Sequence, residues 1–195
     1  MAKSMAGVKT HPVFSAKEYL DFERFAQERH EFLDGSVYAM AGESRNHSTI
    51  CFNLSGTVHR QLRGKPCRGF SPNMKVRTNE AGLFSYPDLI IVCGEPLSHD
   101  DKDDVITNPT VIFEVLSRST ESYDRGEKFL RYTNNIESLE DYVLIAQNRP
   151  FVEHFSKDSG WNKTEIDGLQ GVLKLDSVEC EIALGELYDL VKFSA

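Results

Sequence analysis

The chain has 195 residues, 40% of them hydrophobic and 27% charged, and its 22 Lys plus Arg against 30 Asp plus Glu give a net charge of -8. That composition can fill a core and excludes a fibrous or wholly disordered chain, while the negative balance excludes a protein that coats nucleic acid by bulk charge. No apolar run approaches the roughly 20 residues of a membrane-crossing helix, and the opening residues lack the apolar stretch of a secretion signal, so the chain is expected to be cytoplasmic with no membrane partner.

A tail over 1–14 is expected to precede a single domain over 15–195. Ser15-Ala-Lys-Glu18 has capping-box spacing and opens a helix to about Glu28, with Tyr19, Phe22 and Phe25 on one side. Glu31–Leu33 and Val37–Met40 flank Asp34-Gly35, a hairpin signal. From Asn46 to Arg63 the apolar positions Ile50, Leu54, Val58 and Leu62 recur every four residues, which predicts an amphipathic helix that Gly64 ends. Met74–Thr78 alternates and reads as a half-exposed strand.

Tyr86–Cys93 and Thr110–Leu116 are the most apolar, β-branched runs and are expected to be central strands. A polar turn and a helix carrying Glu127, Lys128, Phe129 and Tyr132 fill 119–135. Asp141–Gln147 is a third buried strand. Phe151–Ser156 and Trp161–Ile166 form a hairpin about Asp158-Ser-Gly160, and Gly185–Leu190 a last short helix. One α/β domain with a mixed sheet accounts for this order.

Cys51, Cys67, Cys93 and Cys180 are too far apart for a CxxC metal site, and free thiols in a reducing compartment are expected. Charge is unevenly spread. The 36 residues Ser44–Asn79 carry Arg45, Arg60, Arg63, Lys65, Arg68, Lys75 and Arg77 and no carboxylate, leaving 15 basic and all 30 acidic side chains to the other 159. This stretch reads either as a phosphate-binding face or as a solvated helix face with a basic hairpin. Asp100-Asp-Lys-Asp-Asp104 reads as a solvated acidic loop.

Glu114 interrupts the apolar run Val111–Leu116, where a bare carboxylate would cost several kcal/mol; it must be ion-paired, protonated or bound to a cation. Asp88 opens the neighbouring run after Pro87, a residue tolerated at a strand's first position. If the two strands are neighbours, both carboxylates meet near one end of the sheet, where hard oxygens suit Mg²⁺ or Mn²⁺. His47 is open to two readings, a cap or surface residue and a metal ligand or general base. Ser117-Arg-Ser-Thr120 lacks the Gly-x-Ser-x-Gly of a nucleophile elbow and reads as a turn. Walker and Gly-x-Gly-x-x-Gly loops are absent.

Tyr86-Pro-Asp88, then Glu114-Val-Leu-Ser117, then Asp124-Arg-Gly-Glu-Lys128 with Tyr132 and Tyr142-Val-Leu-Ile, resemble the Uma-two-type restriction endonucleases of the PD-(D/E)xK nuclease superfamily. His30-Glu31-Phe-Leu-Asp-Gly35 and Asn46-His47 fit the same pattern, so the resemblance runs from about Ser15 to Gln147. It implies a restriction-endonuclease-like mixed central β-sheet flanked by helices, here with a C-terminal hairpin added. It implies hydrolysis of phosphodiester bonds, in DNA, by a divalent-metal-dependent endonuclease using Mg²⁺ or Mn²⁺. Asp88 and Glu114 would be the ligands, with the Val115 carbonyl a further one and Glu31 completing the shell.

The lysine of (D/E)xK falls at Leu116 here, so Lys128 is the expected substitute and Lys75 the alternative. Phosphate contacts would come from the basic stretch, Arg60, Arg63 and Arg68 first. A homodimer would let two sites cut two strands. The missing strand lysine and the negative charge favour an alternative: a weak or inactive nuclease-fold module that binds nucleic acid or a protein partner.

Overall fold

The computed structural model describes residues 13–40, 42–79 and 82–193. Of the tail expected over 1–14, all but Val13 and Phe14 lies outside the described residues. Ser15 caps helix α1 (Ala16–Glu23) through the predicted box: Glu18 N–H donates to Ser15 Oγ at 3.2 Å and Ser15 N–H to Glu18 Oε2 at 2.8 Å. The helix ends five residues earlier than its apolar spacing suggests, because the N–H groups of Phe25 and Ala26 reach back only three residues, to Phe22 and Glu23. Tyr19 is fully buried, whereas Phe25, beyond the helix, is 85% exposed.

Strands β1 (His30–Leu33) and β2 (Ser36–Ala39) form the expected hairpin, with Asp34 and Gly35 at φ 46° and 90°, the left-handed pair that a two-residue turn needs. Helix α2 (Arg45–Leu62) buries Ile50, Leu54, Val58 and Leu62 as its period demands. Gly64, at φ 81°, turns the chain away.

Strands β3 (Cys67–Phe70), β4 (Lys75–Arg77), β5 (Leu83–Ser85), β6 (Leu89–Cys93), β7 (Val105–Ile106) and β8 (Val111–Leu116) follow. Next comes a helical segment over 121–135, in which α3 (Glu121–Tyr123) and α4 (Phe129–Asn135) flank a π-helical turn, Asp124–Lys128. The chain then forms β9 (Asp141–Ala146), β10 (Phe151–Ser156), β11 (Lys163–Asp167), β12 (Val172–Leu175), β13 (Cys180–Ala183) and α5 (Leu184–Leu187).

A six-stranded mixed sheet, ordered β11-β10-β9-β8-β6-β3, is the centre of the molecule. Only β8 and β9 pair in parallel within it. A parallel pair needs a crossover, and the segment 121–135 is that crossover. The period of two splits the central strands. Leu89, Ile91, Val111, Phe113, Val115, Val143 and Ile145 face α2, β12, β13 and α5, while Ile90, Val92, Ile112, Leu116, Tyr142 and Leu144 face α4 and a second sheet. Glu114 belongs by parity to this second face. The second sheet is five-stranded, ordered β2-β1-β5-β4-β7.

Three expectations need correction. Lys75 and Val76 are buried rather than half exposed, because β4 lies between β5 and β7 instead of at an edge. The expected hairpin over 151–166 does form, as β10 and β11 at one edge of the central sheet, and β12–β13 add a further C-terminal pair packed on α2. Cys67 and Cys93 are not free thiols: the antiparallel register of β3 on β6 sets them opposite each other and a disulfide joins them, leaving Cys51 and Cys180 free.

The acidic loop is also not simply solvated. Arg24, at the end of α1, reaches Asp100 at 2.8 Å and Asp104 at 2.7 Å, and Lys75 Nζ donates to Asp104 at 2.9 Å. Partial burial works against the charged Asp104 carboxylate, but the guanidinium and ammonium outweigh it and hold its pKa down to about 2. A depressed carboxylate contributes stability above its unfolded pKa that is lost as pH falls through the folded value. Asp104→Asn is therefore expected to lower the Tm at pH 5, with the gap to wild type closing as both are acidified toward pH 2 in thermal melts.

Candidate active site

The Asp88 carboxylate lies at the mouth of the ladder between β6 and β8. Asp88 N–H donates to the Phe113 carbonyl at 3.1 Å, but Pro87 before it has no N–H to carry the pairing further. The Asp88 side chain takes over, accepting the Val115 N–H on Oδ2 at 2.6 Å. The same oxygen lies 3.4 Å from Nε2 of His47 in the first turn of α2. Burial disfavours a charged ring at His47, but Asp88 and Glu43, on its two nitrogens, outweigh that and raise its pKa to about 9.

Glu114 projects to the other face, under the crossover. Lys128 Nζ lies 2.9 Å from Glu114 Oε1, 3.1 Å from Glu31 Oε1 and 3.5 Å from Asp124 Oδ1. Tyr132 Oη donates to Glu114 Oε1 at 3.3 Å. Asp124 and Lys128, four residues apart and so on one helix face, are both buried on the inner side of the π turn, and turns of this kind recur at functional sites. Sequence reasoning missed Asp124 as part of the cluster, although its position four residues before Lys128 was a signal that the two share a helix face.

The charges do not balance. The side chains of Glu114, Asp124 and Lys128 are at most 7% exposed and Glu31 is 18% exposed, so three carboxylates share one ammonium with little water. Burial raises the Glu114 carboxyl well above the usual range despite Lys128, with Asp124, Asp88 and Glu31 adding to the rise. Lys128 stays protonated: burial opposes its charge, but Glu114 and Glu31 hold its pKa well above that of a free lysine. A buried surplus of carboxylate is relieved by a proton or by another cation. Asp88 and Glu114 carry the hard oxygens that Mg²⁺ or Mn²⁺ takes, and the charge of Asp88 acts on Glu114, but among the described residues the two belong to no group of three converging ligand side chains.

The other sequence candidates fall elsewhere. Lys75 pairs with Asp104, over the face of Tyr86 at 5.3 Å. Arg60 is 13 residues beyond His47 on α2, about 20 Å along the axis, and contacts Glu186 at 2.9 Å. Arg63 is exposed at the end of that helix, and Arg68 lies on β3 with Glu95 at 3.9 Å. A groove of about 1340 Å³ opens where β8 and β9 end, two residues past Glu114, and Arg45, Arg118, Arg125, Arg149 and Lys192 line it. Among the described residues, Arg45, Arg118 and Lys192 have no carboxylate within 4.0 Å.

Residues 16–185 match the model of the Uma2 family, described as "Putative restriction endonuclease". The chain belongs to the Uma2 family. Two uncharacterised proteins of Synechocystis sp. are 36% identical to it: sll1609 over 84% of this chain and 93% of its own length, and slr1290 over 77% and 78%. A crystal structure from Anabaena variabilis, of "a putative nuclease belonging to DUF820", superposes with a TM-score of 0.74 at 13% identity, covering 92% of this chain and 99% of that one. The nuclease-type α/β fold expected from the motif residues is thereby confirmed for this Uma2 chain. Among its described residues no helix is long and apolar enough to cross a membrane.

Lys128→Met leaves Glu114 and Asp124 buried without their cation, and removing one partner of such a pair costs about 3–5 kcal/mol. Urea unfolding of the single variant should show a loss of that order, and Lys128→Met with Glu114→Gln a smaller one. A single variant as stable as wild type would mean that the ammonium is not what holds the cluster together.

Proposed function

We propose that this protein is a divalent-metal-dependent endonuclease that hydrolyses phosphodiester bonds in DNA in the cytoplasm. The observation that carries the reading is the carboxylate surplus beside Asp88, in a member of a restriction-endonuclease family. Asp88, Glu114 and the Val115 carbonyl would hold Mg²⁺ or Mn²⁺, and Glu31 would support them. When bound, the metal lowers the pKa of a coordinated water and offsets charge on the scissile phosphate.

The protein's own groups supply the rest. Asp88 is fixed by the Val115 N–H and His47, so its carboxylate is oriented before substrate arrives. Lys128 replaces the lysine that Leu116 displaces from the strand; its ammonium is within reach of Glu114 and would donate to the attacking water or a phosphate oxygen. The groove beside the site offers Arg45, Arg118, Arg149 and Lys192 to the DNA backbone. A duplex following α2 would also meet Arg60, Arg63 and Arg68. Cutting both strands would take two sites, one from each copy in a homodimer.

One observation favours the competing reading of a module that binds nucleic acid without cutting it: the Lys128 ammonium donates to Glu31 and is ion-paired with Glu114 and Asp124, so three carboxylates already surround it. Cleavage of supercoiled DNA with Mg²⁺ or Mn²⁺ separates the two. Wild type should nick, Asp88→Ala and Glu114→Ala should not, and Lys128→Ala should be slower by about 10²–10³-fold. Arg118→Ala should weaken DNA binding and lower the slope of log affinity against log salt by about one. DNA binding without cleavage in any metal, and no metal uptake by calorimetry, would establish the non-cutting module instead.

A further inference from the structure

The other side of His47 carries a second group of ligands that the nuclease reading does not use. Glu43, His47 and Cys51 follow one another at intervals of four residues, the spacing that stacks side chains on one face of a helix. Ser44 is the N-cap: its Oγ accepts the His47 N–H at 3.1 Å and fixes the start of α2. Just before the cap, the chain carries Glu43 back over the first turn.

His47 Nδ1 is then 3.1 Å from Glu43 Oε2 and 3.5 Å from Cys51 Sγ, and the three ligand atoms lie within 4.8 Å of one another. Among the described residues no other three His, Cys, Asp or Glu side chains converge this closely. Ligands of a tetrahedral ion at ordinary Zn–N, Zn–O and Zn–S lengths sit roughly 3.3–3.6 Å apart, so the trio needs little rearrangement.

We propose that Glu43, His47 and Cys51 bind a thiophilic first-row divalent cation of the Zn²⁺ class, through the Glu43 carboxylate, His47 Nδ1 and the Cys51 thiolate, with water as fourth ligand. The donor set separates this site from the oxygen site of Asp88 and Glu114. A thiolate and an imidazole select Zn²⁺ or Co²⁺, whereas carboxylates and carbonyls select Mg²⁺ or Mn²⁺.

The surroundings supply what a metal-bound histidine needs. Its remaining nitrogen, Nε2, faces Asp88 Oδ2 at 3.4 Å, the outer carboxylate that commonly fixes the tautomer and raises ligand basicity. Binding displaces the proton from Nδ1 and the proton from the thiol, both released to solvent. Burial and the neighbouring Asp88 and Glu43 hold the thiol in its protonated form without a metal, and a dication reverses that local charge balance. The positive end of α2 favours the anionic Glu43 carboxylate beside its first turn.

Co²⁺ titration of the full chain, with the Cys67–Cys93 disulfide left oxidised, tests this independently of DNA cleavage. The expected spectrum has a near-ultraviolet thiolate-to-cobalt charge-transfer band and visible bands of four-coordinate intensity, both reversed by excess Zn²⁺. Cys51→Ser should abolish the charge-transfer band, whereas Cys180→Ser and Glu114→Gln should keep it. Glu43→Gln, at an exposed position where folding is not at stake, should weaken Zn²⁺ binding. Asp88→Asn should weaken it by about 10–100-fold. The absence of a charge-transfer band in the folded wild type, or a band that survives Cys51→Ser, would overturn the proposal and leave the Mg²⁺ or Mn²⁺ reading of Asp88 and Glu114 standing.

Discussion

The ammonium of Lys128 sits among Glu114, Glu31 and Asp124, and the layout of the protein converges on that contact. Each partner comes from a different place: Glu31 from the five-stranded sheet, Glu114 from the central sheet, and Asp124 with Lys128 from the crossover between β8 and β9. Buried charges cannot drift without large cost, so the cluster pins the two sheets and the crossover to one another at a single point. It also lies on the path of the crossover that joins the parallel strands β8 and β9. The crossover that pairing requires must run over one face of the sheet, and it runs over the face to which the period of two assigns Glu114. A fully apolar β8 would pack as well, so the carboxylate there reflects chemistry more than stability.

Features that depend on local rules were legible in the sequence. The cap at Ser15, the turn at Asp34-Gly35, the four-residue period of α2 and the apolar strands β6, β8 and β9 all formed where spacing and residue type put them. Glu114 was legible for the opposite reason, as a violation of its strand's pattern, and the need for a paired or cation-bound state followed from desolvation alone. Lys128 at Glu114 was reachable from the order strand, turn, helix, because a helix returning over a strand can aim a long side chain at its end.

What stayed hidden depends on register and on long-range geometry. Asp124 and Lys128 stand at the i,i+4 spacing that shares a helix face, but nothing in Asp124-Arg-Gly-Glu-Lys128 tells that this face is the one buried against Glu114. The pairing of Cys67 with Cys93 follows from how β3 aligns on β6, and a separation of 26 residues carries no such information. Arg24 meets Asp100 and Asp104 across 76 and 80 residues of chain, and an acidic run on a loop looks the same in sequence whether clasped or solvated.

The map of charge along the chain differs from the map in space, and the difference bears on where a polyanion can bind. Within the carboxylate-free stretch Ser44–Asn79, several cations are spent inside the fold: Lys75 on Asp104, Arg60 on Glu186, and Lys65 on the carbonyls of Val178 and Glu179. The groove past the ends of β8 and β9 draws only Arg45 from that stretch and takes Arg118, Arg125, Arg149 and Lys192 from segments that are acidic on average. A phosphate backbone responds to cations that are accessible and lack carboxylate partners, since those release condensed counterions without first breaking an ion pair. Among the described residues Arg45, Arg118 and Lys192 meet that condition past the ends of β8 and β9, so a protein of net charge -8 can still carry a local positive surface next to Glu114 and Asp88, where the proposed chemistry would take place.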